Sequence, residues 1–339
     1  MSEIITSTAG HVDIFDVATQ ERVRTILEAG TADNTRRAYQ GDLRYFWGWA
    51  RVALGMAEAY PVPLAVLVRF VTDHLEGLPE PVDTVLVAEG IKARLGTHSL
   101  ATVARRLAAL SVAHASQGVD NTVHMPQIRT LLAAARRARA KQGHGPKKKQ
   151  AATLDVLEAM LATCGDDIRG VRDRALLLFA FASGGRRRSE VAGAMVENLT
   201  VVPGGYIYRI PWSKTDQEGV GREVPVLGRA AKALEAWLQA ACIEGGEIFR
   251  AIMPNGAVGR KLSARGINRV VKKLAGKAGF DPTKFGAHSL RSGFVTEAGR
   301  RGVPRNEAMA MTGHRSGTVF DEYFQAGSIM RSSAANIVD

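Results

Sequence analysis

The chain has 339 residues, of which 46% are hydrophobic, so it has enough apolar material to bury two domain cores. This composition excludes a largely disordered protein. Its 45 lysines and arginines exceed its 33 aspartates and glutamates, for a formal net charge of +12. The excess favours a polyanionic partner, since phosphate contacts by basic side chains release counterions; DNA, RNA and acidic membranes all remain open.

The cysteine pattern and the N-terminus predict a cytoplasmic protein. Cys164 and Cys242 are far apart and show no spacing typical of metal ligands, so neither a zinc site nor a disulfide framework is expected. Residues 1–10 lack the basic start and apolar core of a signal peptide. No apolar run approaches the length that crosses a bilayer, and we expect no membrane partner.

The first 140 residues predict an all-α domain. Residues 31–34 offer several N-cap candidates before a stretch in which Leu43, Phe46 and Ala50 recur at helical spacing. Pro126 suits the first turn of another helix. No segment in this half predicts a strand. The predicted helices cover about 12–29, 35–54, 70–75, 82–95, 99–117 and 126–139.

Residues 141–150 predict a basic linker, because Gly and Pro disfavour regular structure and the lysines favour solvent or phosphate. Residues 151–339 predict an α+β domain with a C-terminal tail. Short strands are expected at 206–210 and 222–226, joined by a turn-rich connection at 214–219. The predicted helices of this domain are 154–163, 171–182, 230–241, 263–275, 293–300 and 305–311.

Cationic and nucleophilic side chains recur through this second domain. Their order along the chain is Arg187, Lys214, His288, Arg291, His314 and Tyr323. Arginine suits phosphate because its planar fork binds two oxygens and stays protonated. His288 and Arg291 are three residues apart and therefore share one face of a helix.

This ordered set resembles the catalytic signature of the tyrosine recombinase, or phage integrase, family. The family's Gly-Leu-Arg-x-Ser-Glu pattern, measured back from Glu190, selects Arg187, with Arg186 in place of the usual apolar residue. By resemblance Tyr323 is the nucleophile and His288 accepts its proton. Lys214 protonates the leaving oxygen, Arg187, Arg291 and His314 hold the phosphate, and Glu190 orients an arginine.

The resemblance implies a two-domain DNA clamp, mainly α with a small antiparallel sheet, whose all-α N-terminal domain binds the core site. Its layout is similar to that of the Cre-like simple recombinases. The implied activity is site-specific DNA recombination through a 3′-phosphotyrosyl intermediate, by a homotetramer on inverted-repeat half-sites, without metal, ATP or another cofactor. A type IB topoisomerase and a catalytically inactive DNA-binding protein are the alternatives. The implied location is the bacterial cytoplasm, with the nucleoid or a plasmid.

Further basic residues are candidate DNA contacts, although each could equally be an ordinary surface residue. Arg265 follows Leu262-Ser263-Ala264 as in a recombinase segment whose arginine reads a base, which predicts a guanine contact. The other candidates are Arg36, Arg37, Arg44, Arg105, Arg106, Lys147 and Lys148.

Overall fold

A computed structural model describes residues 22, 25, 33–143, 145, 148–211 and 220–329 of the chain. The chain divides into two compact units, residues 1–146 and 147–339. The predicted helix at 12–29, Lys147, Lys214 and the tail beyond residue 329 lie outside the described residues, apart from residues 22 and 25.

The first unit is helical, and residues 33–143 contain no strand. A core of buried aromatic side chains, among them Phe46, Trp49 and Phe70, holds the helices together. The third helix ends at Ala88, earlier than predicted, because Gly90 adopts a left-handed conformation with φ of 66°. The helices are α1 (Asp33–Leu54), α2 (Leu64–Glu76), α3 (Glu80–Ala88), α4 (Leu100–Gln117) and α5 (Pro126–Lys141).

The second unit surrounds a small antiparallel sheet with helices, as the sequence predicts. Its helices are α6 (Leu154–Ala162), α7 (Ile168–Ala182), α8 (Arg188–Ala192), α9 (Gly228–Ala240), α10 (Ala264–Lys277), α11 (Ala287–Arg301), α12 (Arg305–Thr312) and α13 (Gly317–Ser328). Its strands are β1 (Leu199–Val202), β2 (Gly205–Ile210), β3 (Arg222–Leu227), β4 (Arg250–Ile252) and β5 (Val258–Lys261). The mainly α fold with small antiparallel sheets is confirmed.

Two separate sheets make up the β-structure. In the three-stranded sheet β2 is central, and its Tyr208 lies opposite Leu199 of β1 and Val224 of β3. Strands β4 and β5 form a second antiparallel pair. The sequence does not predict β1, β4 or β5, which have only three or four residues each and therefore show little alternation.

The core of the second unit forms around α7. Phe179 of this helix packs edge-on against Tyr208 and Phe249, with ring centroids 5.1 and 5.4 Å away. Burying this apolar helix fixes the turn that follows it, at residues 183–187. Across the described helices, none is long and apolar enough to span a membrane.

Candidate active site

Helix α11 carries both His288 and Arg291, whose three-residue spacing predicted one shared helical face. It begins at Ala287, six residues before the predicted start at residue 293. Arg291 is only 2% exposed, and its Nη1 donates a hydrogen bond to the carbonyl of Gly185, 3.1 Å away. A Cβ on Gly185 would lie 2.4 Å from Cα of Arg291, and its φ is 66°. Glycine therefore lets the turn after α7 lie directly on α11.

That turn presents two arginines in different environments. Arg187 is the N-cap residue of α8, and its side chain keeps 24% exposure while Nη1 donates to Oε1 of Glu190 at 2.7 Å. The Arg186 side chain is fully buried and donates to the carbonyls of Gly184 and Met311. Arg187 is therefore the arginine of the pair that a phosphate can reach. Arg186 instead ties the turn after α7 to the end of α12 through its hydrogen bonds.

Glu190 is the carboxylate beside these arginines. Its side chain is 6% exposed; Oε2 accepts the Arg187 backbone N–H at 3.2 Å and lies 3.5 Å from Nη1 of Arg186. Burial acts to raise the pKa of Glu190, but the charges of Arg186 and Arg187 outweigh it and hold the pKa below its usual value. The carboxylate is thus ionised and orients both arginines.

The cluster carries an excess of positive charge. Burial, followed by the neighbouring Arg187, lowers the pKa of Arg291 to about 9, and burial lowers that of Arg186 to about 10. Both guanidinium groups stay protonated at neutral pH. The single negative charge of Glu190 balances only one of the three arginines. The remaining positive charge favours an anion at the accessible edge of the cluster, where Arg187 lies.

His314, which follows α12, also contacts Arg291. Both of its ring nitrogens lie 3.3 Å from Nη2 of Arg291, and Nδ1 is 2.7 Å from Oγ1 of Thr312. The Thr312 hydroxyl donates to the carbonyl of Met309, so it accepts from Nδ1–H and leaves Nε2 to accept from Arg291. Burial, then Arg291, lowers the pKa of His314 to about 4, and the ring is neutral at neutral pH.

Tyr323 lies on α13, half-buried, with its ring centroid 6.5 Å from that of His288. Helix α13 packs backbone to backbone on α11, because a Cβ on Gly327 would lie 1.9 Å from the carbonyl oxygen of Thr296. Desolvation by the surrounding atoms, then the charges of Arg291 and Arg187, lowers the pKa of His288, although part of its ring reaches the surface. A neutral imidazole next to a phenol can accept a proton.

Lys148 approaches the same tyrosine. Its Nζ is 5.8 Å from the centroid of the Tyr323 ring and forms an ion pair with Glu322. The sequence predicts this lysine only as a linker contact with DNA. Its position beside Tyr323 is not predictable from the sequence, because 175 residues separate the two in the chain.

The candidate DNA contacts outside the catalytic cluster differ in exposure. Arg37 and Arg44 of α1 and Arg265 at the start of α10 are exposed, whereas Arg36 is half-buried. Arg105 is 48% exposed, and its Nη1 lies 2.6 Å from Oδ2 of the buried Asp42.

Arg106 does not face solvent, and its burial weighs against the predicted DNA contact. It is 9% exposed; its Cζ lies 3.1 Å from the Tyr45 ring centroid and its Nε 3.5 Å from Asp42. The signal was present in the sequence: on a helix, position 106 shares a face with Val103 and Leu110, while Arg105 points about 100° away.

The fold and this site together define a class of enzyme. A mainly helical domain brings arginines, two histidines and a tyrosine together, an arrangement suited to phosphoryl transfer to a side chain, which is the chemistry of the tyrosine recombinases. Residues 151–328 match the phage integrase family. The chain belongs to this family of tyrosine recombinases, enzymes that cut and rejoin DNA strands.

Relatives are found over most of the chain. An integrase/recombinase XerD homolog from Selenomonas ruminantium is 31% identical over 321 residues, which cover 91% of this chain and 86% of that protein. The tyrosine recombinase XerD of Listeria monocytogenes is 26% identical, over 85% of this chain and 86% of its own length. The Cre-like layout expected from the sequence stays a prediction.

Solved structures share the fold. A lambda integrase dimer bound to a core site has a TM-score of 0.56 at 17% identity, covering 90% of this chain and 94% of its own. The Tn1549 transposon integrase in complex with transposon right-end DNA has a TM-score of 0.58 at 14% identity, covering 96% and 100%.

Proposed function

We propose that this chain is a site-specific DNA recombinase with Tyr323 as its nucleophile. The tyrosine oxygen attacks the scissile phosphorus, the bond from phosphorus to the 5′-oxygen breaks, and a 3′-phosphotyrosyl bond and a 5′-hydroxyl result. A 5′-hydroxyl from the partner strand then attacks the phosphotyrosine and releases Tyr323. The observation that carries this proposal is the half-buried Tyr323 ring 6.5 Å from His288, a histidine that lies within the field of Arg291 and Arg187.

The other residues take roles that follow from their charge and position. Arg187 and Arg291 hold the non-bridging oxygens, and His314, whose Nε2 accepts from Arg291, orients that guanidinium toward them. A free phenol has a pKa of about 10, so His288, neutral at pH 7, serves as the proton acceptor. Lys214 protonates the leaving 5′-oxygen. This last role rests on the resemblance alone, since Lys214 lies outside the described residues.

The substrate in this proposal is duplex DNA with inverted-repeat half-sites, bound by a homotetramer that joins two sites. The net charge of +12 supports a DNA partner. A solved lambda integrase tetramer bound to a Holliday junction has a TM-score of 0.52 at 17% identity, covering 88% of this chain and 77% of its own. The proposed DNA contacts are Arg36, Arg37, Arg44, Arg105, Lys147, Lys148 and Arg265.

Covalent capture tests the proposal and finds the target sequence in one experiment. The purified protein is mixed with sheared DNA of its host in EDTA, the reaction is stopped with detergent, and protein-linked fragments are sequenced. We expect fragments that converge on one inverted repeat, and none from Tyr323→Phe. Scattered fragments would favour an enzyme that only relaxes DNA, and adducts that persist in Tyr323→Phe would exclude this nucleophile.

A further inference from the structure

Arg222 is a cation at the edge of the active site to which the catalytic signature assigns no role. It is the first residue of β3, paired with Ile210 of β2, and so marks the loop end of the hairpin whose connection contains Lys214. Its guanidinium reaches across to α12 and to the turn that follows α12.

Two contacts join Arg222 to the turn that carries His314. Nη1 donates to the carbonyl of Ala310, 3.1 Å away. The guanidinium also lies on Gly313, because a Cβ there would meet Nη1 at 1.9 Å and Cζ at 2.5 Å. Gly313 has a φ of 68° and directly precedes His314. One side chain therefore spans from the loop end of the hairpin to the last turn of α12 and to Gly313.

The surroundings place the contact at the edge of the candidate catalytic centre. Arg222 and His314 line the same cleft, which has a volume of about 670 Å³. Burial and Arg187 are the main causes of the lowered pKa of Arg291, and the charge of Arg222 adds to them. A fourth cation near Arg186, Arg187 and Arg291 opposes folding, so a neutral side chain would suit a purely structural contact better.

We propose that Arg222 is a positioning residue for His314. Its guanidinium holds residues 310–313 against the loop end of the hairpin and so keeps the imidazole against Arg291. This inference rests on the proposed catalytic role of His314, and it identifies Arg222 as the side chain that aligns the His314 ring.

The first test needs no DNA. The His314 ring is titrated by NMR in Arg222→Lys, which keeps the charge but removes the planar group over Gly313. We expect the pKa of His314 to rise by about one unit toward the value of an exposed imidazole, because the released ring is better solvated. The same substitution at the exposed Arg209, on the adjacent strand of this hairpin, should leave the titration unchanged. An unchanged pKa in Arg222→Lys would overturn the proposal.

The second test is a pair of double-mutant cycles on single-turnover cleavage of the captured DNA fragment. Alone, Arg222→Lys should slow cleavage by about 10-fold to 100-fold while DNA binding and the melting curve stay close to wild type. In a His314→Ala background the further loss should be less than about twofold, because the effect passes through His314. In a Lys214→Ala background the whole loss should remain.

The outcomes of these two tests distinguish a failure of the Arg222 inference from a failure of the proposed function. Full additivity with His314→Ala would contradict the inference, as would a loss that disappears only when Lys214 is absent. If wild-type protein forms no adduct, the proposed function fails, while the NMR titration still decides whether Arg222 positions His314.

Discussion

At the scale of single residues, burial decides what each charged side chain can do. Arg186 and Arg187 are neighbours in sequence, yet the Arg186 side chain is fully buried and that of Arg187 is 24% exposed. A buried arginine paired with Glu190 contributes to the frame of the site, because phosphate cannot reach it.

Methionine substitutions should separate the two arginines. Arg187→Met removes a donor from the phosphate, and we expect cleavage to fall by about 100-fold or more. Arg186→Met has a similar volume and leaves Glu190 paired with Arg187, so cleavage should stay within about tenfold of wild type. Single-turnover cleavage measures both, and urea unfolding verifies that each variant is folded. A larger loss in Arg186→Met would reverse the assignment.

At the scale of elements, the site depends on how closely two helices approach. Glycines at the interface of α11 and α13 allow backbone contact: a Cβ on Gly299 would lie 2.3 Å from the carbonyl oxygen of Phe324, and one on Gly327 would meet Thr296. Tyr323 is one helical turn before Gly327. The position of Tyr323 relative to His288 is therefore set by residues without side chains.

Gly327→Ala should push α13 away from α11. We expect the free energy of unfolding to fall by about 1–3 kcal/mol from overpacking, with slower cleavage because Tyr323 moves. Gly41→Ala is the matched control: this glycine lies within α1 and has open space around its Cβ position. There alanine should stabilise by about 0.5–1 kcal/mol, since it restricts the unfolded chain. Urea denaturation tests both signs, and unchanged stability in Gly327→Ala would count against this packing.

At the scale of the whole molecule, the two units use buried polar groups differently. The second unit places several of them at the candidate catalytic site, among them Arg186 and Arg291. The first unit buries a hydrogen-bond chain in its core: Tyr45 Oη lies 2.8 Å from Nε2 of His74 and 3.0 Å from Nε2 of His98, and His74 Nδ1 donates to the carbonyl of Phe70 at 2.6 Å. The one hydroxyl hydrogen of Tyr45 can go to only one of the two Nε2 atoms, so that histidine must be neutral, while the other Nε2 donates to Oη.

The first unit should therefore lose stability in acid. Burial lowers the pKa of His74 to about 3 and that of His98 to about 4, whereas histidines of the unfolded chain titrate near about 6.5. The unfolded state binds more protons as pH falls below that value, so the free energy of unfolding decreases. For His74 alone the loss at pH 4 is on the order of 3 kcal/mol.

Hydrogen exchange of α2 and α4 at pH 7 and pH 4 measures this loss within the first unit. His74→Phe should reduce the pH dependence even though it weakens the core, because a titrating group is gone. His124→Gln, at an exposed histidine, should keep the wild-type dependence. Equal pH dependence in His74→Phe and wild type would contradict the buried neutral pair.

Much of this protein could be predicted from its sequence because the signals are local. Helical periodicity predicted α1, α4 and α5 to within about two residues. The spacing of His288, Arg291, His314 and Tyr323 indicated the family, and the family is confirmed. Periodicity failed for β1, β4 and β5, since strands of three or four residues are too short to show a pattern.

The sequence by itself therefore determined the class of enzyme, the mixed fold of the second unit and the order of the candidate catalytic residues. Only the tertiary structure decided which basic side chains are accessible: it buried Arg106 and Arg186, left Arg187 at the surface, and placed Arg222 against the turn before His314. The physical reason is that exposure and contact depend on neighbours distant in the chain. Arg291 meets Gly185 across 106 residues, and no local pattern encodes that contact.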